Sequence, residues 1–455
     1  MTSTQEPPLV EEKRSPQTIP VAIPDPAQTF NWRNCWYPVT FVQDMPKDRP
    51  YSFSLYDEPL VLFRNQNGEF GCVVDRCPHR AAKLSDGQIF DGKLECLYHG
   101  WQFGIDGECL HIPQLPSNGT IPKNACIKSF KVIERQGMIW MWAGEAEEAD
   151  EKLIPTIPNL DKPEFVGLDL IYDRPYDQTY FIENVIDPAH VPISHHGSDG
   201  NRQNAQPLEM EILETSIAGI RGRYRGMKKP HGNWINLDFI APNLVLYQVS
   251  DLPKPGFSSG LALYSVPLGK GRCRVLSRFY WNFSRWKIKL QPRWFSHWYR
   301  SRVIEEDIYI SRGVQAQVEH LGQNLKEIYL PLKTSDMLAI EYRKWLDKYG
   351  SSLPFYQGYE TLRLPDNKGG CNHQPIPLDR FSGHTEICIS CNRAYQTTIQ
   401  LKQVAIGVAI AMAALAIVTD EFSSKMSVLA SLSAVGIAFI AEKVKTKFER
   451  SYTRH

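Results

Sequence analysis

Short stretches rich in branched and aromatic residues recur along the first third of the chain, and glycine-containing turns separate them. Four of these stretches cover residues 61–65, 71–75, 93–103 and 137–144. Val, Ile, Tyr and Trp between turn residues are typical of β-strands. The pattern therefore predicts a β-rich domain over residues 30–145.

The hydrophobic pattern changes twice further along the chain. Residues 146–165 are acidic and contain prolines, which is typical of a linker. Residues 166–290 alternate again, with one helical stretch around 178–196, whereas residues 290–350 carry long amphipathic patterns with few helix breakers. The pattern predicts a second domain over residues 166–365.

The far C-terminus contains two unbroken apolar runs, 404–418 and 427–441, which an acidic loop separates. Each run is somewhat shorter than the roughly 20 residues that span a bilayer, and the alternative is a helical hairpin buried in a soluble core. Both runs are apolar on all faces and rich in Ala and Gly, and they stand at the chain end with nothing left to cover them. We therefore predict two transmembrane helices within residues 402–442.

Basic residues flank this predicted hairpin. Arg393 and Lys402 precede the first run, and a basic tail over residues 443–455 follows the second. Positive residues stay on the cytoplasmic side of a membrane. Both ends of the hairpin should therefore face the cytoplasm or the stroma, together with the body of the protein.

Composition narrows the classes of function. The chain has 455 residues, of which 42% are hydrophobic, enough for two or three domains with buried cores. The net charge is +1 and no local basic stripe is present, so nucleic-acid binding is not expected. Ten cysteines are too few for a disulfide scaffold, and they pair at short range with histidine or with each other. This pattern indicates metal or redox chemistry in a reducing compartment.

The N-terminus carries no recognisable targeting signal. No apolar run precedes residue 30, so a secretory signal is not expected, and its acidic residues argue against an organellar transit peptide. Six prolines predict that residues 1–29 form a disordered tail.

The first chemical motif is Cys77-x-His79, followed after sixteen residues by Cys96-x-x-His99. In a Rieske [2Fe–2S] cluster two thiolates hold one iron and two imidazoles hold the other, so each loop supplies one of each. The alternative is a Cys2His2 zinc site, whose ligands usually come as a Cys pair and a His pair. The mixed pairs, between strand signals, favour a cluster that accepts single electrons.

The second motif, N-x-x-D-x-x-H-x-x-x-x-H, comprises Asn184, Asp187, His190 and His195. Two nearby imidazoles with one distant carboxylate form the facial triad of non-haem Fe(II) oxygenases. His196 is the alternative to His195, although the spacing favours His195. We expect Asp187 to orient His190 and to connect it to a cluster histidine of a neighbouring subunit, and Asn184 to lie near the open iron face.

The third iron ligand must be a carboxylate further along the chain. Asp307 is the best candidate, because an Asp that follows Glu, with Gln315 eight residues on in a helical segment, fits the late carboxylate of this class. Glu305 and Glu306 compete with it, and a solvated acidic helix face is the alternative.

Three segments resemble one known family. Residues 75–126, 183–196 and 384–396 are similar to the pheophorbide a oxygenase family, which also includes chlorophyllide a oxygenase, a protochlorophyllide-related membrane oxygenase and an inner-envelope import-associated protein. The resemblance covers about residues 30–445 and is weak over 200–290. The lack of a transit peptide suggests a cyanobacterial-type member.

The resemblance implies an α+β fold: a β-rich Rieske domain, a helix-grip catalytic domain in which a curved antiparallel sheet grips a long helix, and the hairpin. It implies oxidation of a chlorophyll-derived tetrapyrrole such as pheophorbide a, using O2 and electrons from reduced ferredoxin. The setting would be the thylakoid or plasma membrane of a phototroph. A homotrimer is also implied, with electrons crossing from His99 or His79 of one subunit through Asp187 and His190 of the next.

Cys388 and Cys391 form a C-x-x-C motif within the segment 366–401. The resemblance suggests a redox-regulatory dithiol with thioredoxin as its partner. The alternatives are incidental cysteines or a structural zinc site. Further ligands for such a zinc would come from Cys371, His373 or His384.

Two other functions stay open at this point. The same metals serve an oxygenase of another hydrophobic aromatic or of a sterol-like lipid, because only the pocket, expected within 200–290, would differ. A redox-sensing membrane component is the second, and a complete iron triad argues against it. Three irons per chain would indicate an oxygenase, and two an electron carrier or sensor.

Overall fold

The computed structural model describes residues 29–228, 232–251, 254–361 and 376–452. Nearly all of the predicted disordered tail, together with Cys371 and His373, lies outside the described residues. The strands of the first domain are β1 Trp36–Phe41, β2 Tyr51–Leu55, β3 Glu58–Arg64, β4 Phe70–Val74, β5 Gln88–Phe90, β6 Lys93–Glu95, β7 Gln102–Phe103, β8 Cys109–His111, β9 Ser129–Phe130, β10 Val132–Arg135 and β11 Met138–Trp142.

These strands form three small antiparallel sheets, as the alternating sequence predicts. Their orders are β1-β11-β10, β2-β3-β4-β9 and β5-β6-β7-β8. Every residue of β1 and β11 is buried, because this sheet packs inside a core shared with the second domain. The four-stranded sheet β5–β8 packs on β3 and β4 through a small apolar core that includes Phe63, Leu94 and Phe103. The first chemical motif lies in the loop after β4 and in the loop between β6 and β7.

The second domain is built on one seven-stranded antiparallel sheet of order β12-β18-β17-β16-β15-β14-β13. Its strands are β12 Val166–Arg174, β13 Leu208–Ser216, β14 Gly219–Gly226, β15 Ile235–Ile240, β16 Leu244–Ser250, β17 Ser258–Gly269 and β18 Arg272–Trp281. Alternate residues of the sheet bury apolar side chains against helices on one face and against the first domain on the other.

The helices follow the predicted pattern, with one exception. They are α1 Gln178–Val185, α2 Val191–Ser194, α3 Trp286–Leu290, α4 Arg293–Leu321, α5 Leu325–Ile328, α6 Met337–Tyr349, α7 Ile389–Val418 and α8 Glu421–Phe448. The single helix predicted around 178–196 is in fact two short helices. Pro188 and Pro192 explain this difference: Pro disfavours helical geometry in the preceding residue, and it is tolerated in the first turn of a new helix.

Polar contacts fix the two domains to each other. The Ser54 hydroxyl donates to the Leu268 carbonyl at 2.6 Å. Buried Arg274 donates to the Asp173 carboxylate at 2.7 Å and to the Tyr51 hydroxyl at 2.6 Å. These bonds, added to the shared apolar core, position the cluster domain on the sheet of the second domain.

The C-terminal helices α7 and α8 pair as a hairpin, as predicted. Both are long and apolar enough to cross a membrane, and only 11% and 17% of their most apolar windows are buried. A core helix of a soluble protein would be mostly buried, so this exposure favours membrane association. Small residues line the contact, where the Ser431 hydroxyl donates to the Ala409 carbonyl at 2.8 Å. Both helices extend well beyond the apolar runs, and their lengths of 30 and 28 residues exceed what a bilayer requires.

Candidate metal centres

Two loops at one end of the β-rich domain carry the four predicted cluster ligands. Cys77 and His79 follow β4, and Cys96 and His99 lie between β6 and β7. The amide of Gly100 donates to the Cys96 carbonyl at 2.8 Å, and an equivalent bond of 2.9 Å closes the first loop onto Cys77. Gly100 has a φ of +74°, a left-handed conformation that glycine adopts without strain.

The thiols and the imidazoles of this pair of loops differ in exposure. Cys77 and Cys96 are buried, whereas His79 is exposed and His99 is half-buried. The two imidazole rings approach to 4.4 Å between centroids, and His79 stacks on Trp101 at 4.8 Å. Two buried thiols beside two more accessible imidazoles fit a Rieske cluster, in which two Cys hold one iron and two His hold the other.

The second predicted motif brings its two histidines to the same side of the one-turn helix α2. His190 immediately precedes α2 and His195 immediately follows it. Their rings stand 5.4 Å apart between centroids. His196 is exposed and accepts a hydrogen bond from the Arg202 amide through Nδ1, so it points away from this pair.

Asp307 of α4 completes a three-residue group with these histidines. Its carboxylate oxygens lie 3.9 Å from His190 Nε2 and 3.3 Å from His195 Nε2. Asp307 Oδ1 is buried without a hydrogen-bond partner among the described residues. A carboxylate that faces two imidazole nitrogens, and that has one buried oxygen without a partner, fits a divalent iron with open positions.

The three consecutive acids of α4 make different contacts. Buried Glu305 forms an ion pair with Arg380, and Glu306 lies 3.1 Å from His195 Nδ1. Only Asp307 faces both Nε2 atoms, so the structure distinguishes it from its two competitors. Burial lowers the pKa of His195, but Asp307 and Glu306 outweigh this effect and raise it to about 9. The site therefore attracts positive charge.

Asp187 contacts His190 mainly through its backbone. The Asp187 carbonyl oxygen lies 2.5 Å from His190 Nδ1, whereas its carboxylate oxygen lies 3.7 Å away. The carboxylate accepts a bond from the Ala189 amide at 2.8 Å, and its side chain is 24% exposed. The carbonyl thus orients the imidazole, and the carboxylate remains accessible from outside.

A cavity of about 180 Å3 adjoins the two histidines and Asp307. Aromatic and aliphatic side chains of the seven-stranded sheet line it, including Tyr247 and Leu263, and Asn184 lies on its wall. Mostly apolar walls around a few convergent polar groups are typical of a substrate site.

The C-x-x-C motif lies in a second polar cluster. Cys388 and Cys391 are buried beside His384, which the sequence suggested, and beside His297, which it did not. His297 stands on the amphipathic helix α4, where no local spacing distinguishes it. Local spacing does not reveal the role of Glu306 either, because that role depends on a contact with His195, which is distant in sequence.

The cluster loops lie in the first domain, and the group of two histidines and one carboxylate lies in the second. Together these two sites define a Rieske non-haem iron oxygenase. Residues 35–131 match the Rieske [2Fe-2S] domain family and residues 239–324 match the pheophorbide a oxygenase family. The chain is 37% identical to TIC 55, chloroplastic, from Pisum sativum, over 90% of this chain and 79% of that protein. It therefore belongs to the pheophorbide a oxygenase family of Rieske oxygenases, whose cofactors are a [2Fe–2S] cluster and a mononuclear iron.

Two further comparisons support the same assignment to the Rieske oxygenases. Pheophorbide a oxygenase, chloroplastic, from Arabidopsis thaliana is 29% identical over 94% of this chain and 84% of that protein. The crystal structure of dicamba monooxygenase bound to dicamba superposes with a TM-score of 0.59 at 25% identity, covering 70% of this chain and 97% of that chain. The predicted fold class, an α+β Rieske oxygenase with two C-terminal apolar helices, is confirmed.

Proposed function

We propose that this protein oxidises a chlorophyll-derived tetrapyrrole such as pheophorbide a, which reaches the site from a membrane. Reduced ferredoxin is the proposed electron donor. The observation that carries the proposal is a groove that adjoins the iron cavity and extends to the base of the hairpin. The pheophorbide a oxygenase relative supports the class of pigment.

The groove has a volume of about 530 Å3. Asp199, Arg300 and Val303 line both the groove and the cavity beside the histidines, so the two spaces adjoin. Its other end reaches Lys447 and Arg450, at the C-terminal end of α8. Aromatic side chains beside a row of basic groups suit a flat pigment that bears a carboxylate.

We assign Cys77, His79, Cys96 and His99 to the cluster, and His190, His195 and Asp307 to the iron. When bound, these groups supply electrons and O2 activation. The Glu306 carboxylate fixes His195, and the Asp187 carbonyl fixes His190. The apolar walls beside Asn184 position the reacting edge of the pigment and exclude water.

A homotrimer would bring the cluster of one subunit to the iron site of the next. The cluster end exposes Leu97 and Tyr98, with 61% and 55% of their surfaces accessible. The partly exposed carboxylate of Asp187 supplies a polar group on the opposite side of such a contact. Apolar residues around the two surface imidazoles suit burial against a partner.

We propose that α7 and α8 both cross the membrane, with their ends on the cytoplasmic or stromal side. Lys443, Lys445 and Lys447 follow the second apolar run, whereas Asp420 lies between the two helices and Glu421 begins α8. This distribution of charge favours the basic side as the cytoplasmic one. The thylakoid or plasma membrane of a phototroph is the proposed location.

A product screen tests the proposal. Purified protein in detergent receives ferredoxin, ferredoxin reductase, NADPH and 18O2, with pheophorbide a, chlorophyllide a and protochlorophyllide a offered separately. Mass spectrometry of an 18O-labelled product from one pigment would establish the reaction. No label, in a preparation with three irons per chain and a reducible cluster, would exclude these pigments.

A smaller lipophilic aromatic is the second candidate substrate. The cavity of about 180 Å3 beside the histidines is below the range of about 300–1,000 Å3 typical of ligand pockets. It would hold a one- or two-ring compound without use of the groove. Labelled product from such a compound, and none from the pigments, would favour this candidate.

A further inference from the structure

Four side chains outside the iron site converge in one buried cluster. They are His297, His384, Cys388 and Cys391, and their potential ligand atoms all lie within 4.8 Å of one another. None is more than 2% exposed. The oxygenase chemistry proposed above uses none of them.

Four of the six distances between these atoms match the edges of a tetrahedron, and the other two are no longer than 4.8 Å. His297 Nδ1 lies 3.2 Å from His384 Nε2, 3.5 Å from Cys388 Sγ and 3.4 Å from Cys391 Sγ. His384 Nε2 lies 3.3 Å from Cys391 Sγ. Tetrahedral zinc, with its usual bond lengths, requires about 3.3 Å between two nitrogens and about 3.5 Å between nitrogen and sulfur. An ion therefore fits at the centre with shifts of about 0.2 Å.

The histidines present the correct nitrogens. His384 Nδ1 lies 2.6 Å from the Ile171 carbonyl oxygen. Because that carbonyl can only accept, Nδ1 carries the proton and Nε2 directs a lone pair into the cluster. His297 makes its polar contacts through Nδ1, and its Nε2 is buried without a partner in the described part of the chain. Both rings thus aim a potential ligand atom at the same point.

The cysteines are equally suited to a metal. Cys388 is the N-cap residue of α7 and Cys391 lies in its first turn, and a bound zinc would hold both sulfur atoms as thiolates. Zn2+ with two thiolates and two neutral imidazoles has no net charge, so its burial is far less costly than that of a lone ion. Four protein ligands leave no open position, which is typical of a structural rather than a catalytic zinc.

We propose that His297, His384, Cys388 and Cys391 bind a structural Zn2+ that fastens the membrane hairpin to the catalytic domain. His297 comes from α4, which also carries Asp307, and both cysteines come from the start of α7. Ile171 of β12 holds His384 in place. The zinc therefore joins three elements at the point where the chain leaves the catalytic domain.

The predicted redox-regulatory dithiol would instead require the same two cysteines to form a disulfide. Disulfide formation joins the two sulfur atoms and releases two protons and two electrons to an oxidant such as oxidised thioredoxin. That partner must reach a sulfur atom, yet Cys388 and Cys391 are 0% and 2% exposed. Bound zinc would occupy both thiolates, so the metal content distinguishes the two hypotheses.

The test uses the full chain, purified in detergent without added zinc, and elemental analysis by mass spectrometry. We expect one zinc and three irons per chain. The Cys388→Ser, Cys391→Ser and His297→Gln variants should each lose at least about tenfold in zinc occupancy, because each removes one of four ligands. The Rieske electron paramagnetic resonance signal should persist. Cys126→Ser, at an exposed cysteine, is the matched control and should keep its zinc.

X-ray absorption at the zinc edge of the wild-type protein provides a second measurement that needs no variant. Two sulfur atoms at about 2.3 Å and two nitrogens at about 2.0 Å are expected. Zinc-free wild-type protein, zinc unaffected by all three variants, or a shell of nitrogen and oxygen alone would overturn the proposal. None of these readouts depends on oxygenase activity, so failure of the proposed substrate leaves this test intact.

Discussion

Asp187 orients His190 with its backbone carbonyl, 2.5 Å from Nδ1, while its carboxylate stands 3.7 Å away and partly exposed. The two polar groups of Asp187 therefore have different roles. The carbonyl orients an iron ligand, and the side chain remains available to a neighbouring subunit. A substitution that changes only the carboxylate can therefore test the second task alone.

The Asp187→Asn variant should retain three irons per chain and lose product formation by about 10- to 100-fold, the range seen when a partner of a ligand histidine is altered. Reduction of the cluster by ferredoxin should proceed at the wild-type rate, which serves as the control. Elemental analysis and stopped-flow spectroscopy measure these quantities. Substrate oxidation at the wild-type rate would show that the carboxylate has no bridging role.

Substitutions of Asp307 and Glu306 should weaken iron binding to different extents. Asp307→Ala removes a proposed ligand, so we expect two irons per chain in place of three. Glu306→Gln weakens only the support of His195, so we expect a loss of about 10- to 100-fold in iron affinity. Iron titration measures both, with the unchanged visible spectrum of the cluster as the internal control. Three tightly bound irons in Asp307→Ala would contradict the assignment.

Substitution of Arg300 tests whether the pigment binds in the groove. If it binds the carboxylate of the pigment, Arg300→Gln should raise KM about tenfold, the effect of losing a charge-assisted hydrogen bond of about 1.5 kcal/mol. The pigment methyl ester should show no such difference between the variant and the wild type. Arg312→Gln, at an exposed position on the same helix, is the control. An equal KM for the free acid in wild type and Arg300→Gln would exclude this route.

A buried ion pair holds the helix that carries Asn184. Arg343 of α6 is fully buried and donates through Nε to Glu183 of α1 at 2.9 Å. Arg343→Ala leaves the carboxylate without its partner and should destabilise the protein by about 3–5 kcal/mol. Thermal unfolding measures this loss. Lys326→Ala, in an exposed ion pair with Glu360, should leave the unfolding temperature unchanged.

Asp238 should make stability depend on pH. Burial raises its pKa to about 6, above the ordinary value of about 3.9. The folded state therefore holds this proton more tightly, and the resulting stabilisation, complete below pH 3.9, is lost as the pH rises through 6. Asp238→Asn should unfold at a higher temperature than the wild type at pH 8, and this advantage should disappear by pH 4. Asp106→Asn, at an exposed turn, is the control for the same chemical change.

The sequence predicts most reliably what is local along the chain. The cluster loops, the histidines around α2 and the two apolar runs each occupy one short segment, so spacing alone reveals them. Pro188 and Pro192 divide the predicted helix for a reason that is also local, and greater weight on them would have corrected that prediction.

Contacts between distant segments account for what the sequence did not predict. His384 lies four residues before Cys388, so the sequence already suggested it, whereas His297 comes from α4 and only the fold places it beside the two cysteines. The acids 305–307 differ by their direction around α4, which depends on where His195 and Arg380 lie. Single-sequence spacing contains no information about such tertiary neighbours.

The length of α7 has a further consequence. The helix begins at Ile389, fifteen residues before its apolar run, which corresponds to about 22 Å at 1.5 Å per residue. Cys391 and Tyr395 of this stem are buried in the core of the catalytic body, and Ile399 packs against the same core, so most of the stem lies inside the body. Only about five residues, or about 7.5 Å, separate Ile399 from the apolar run, and the headgroup layer is about 5–8 Å deep, so we expect the body to sit at the lipid surface. Removal of each methylene from lipid into water costs about 0.8 kcal/mol, and direct entry from the bilayer into the groove would avoid that cost.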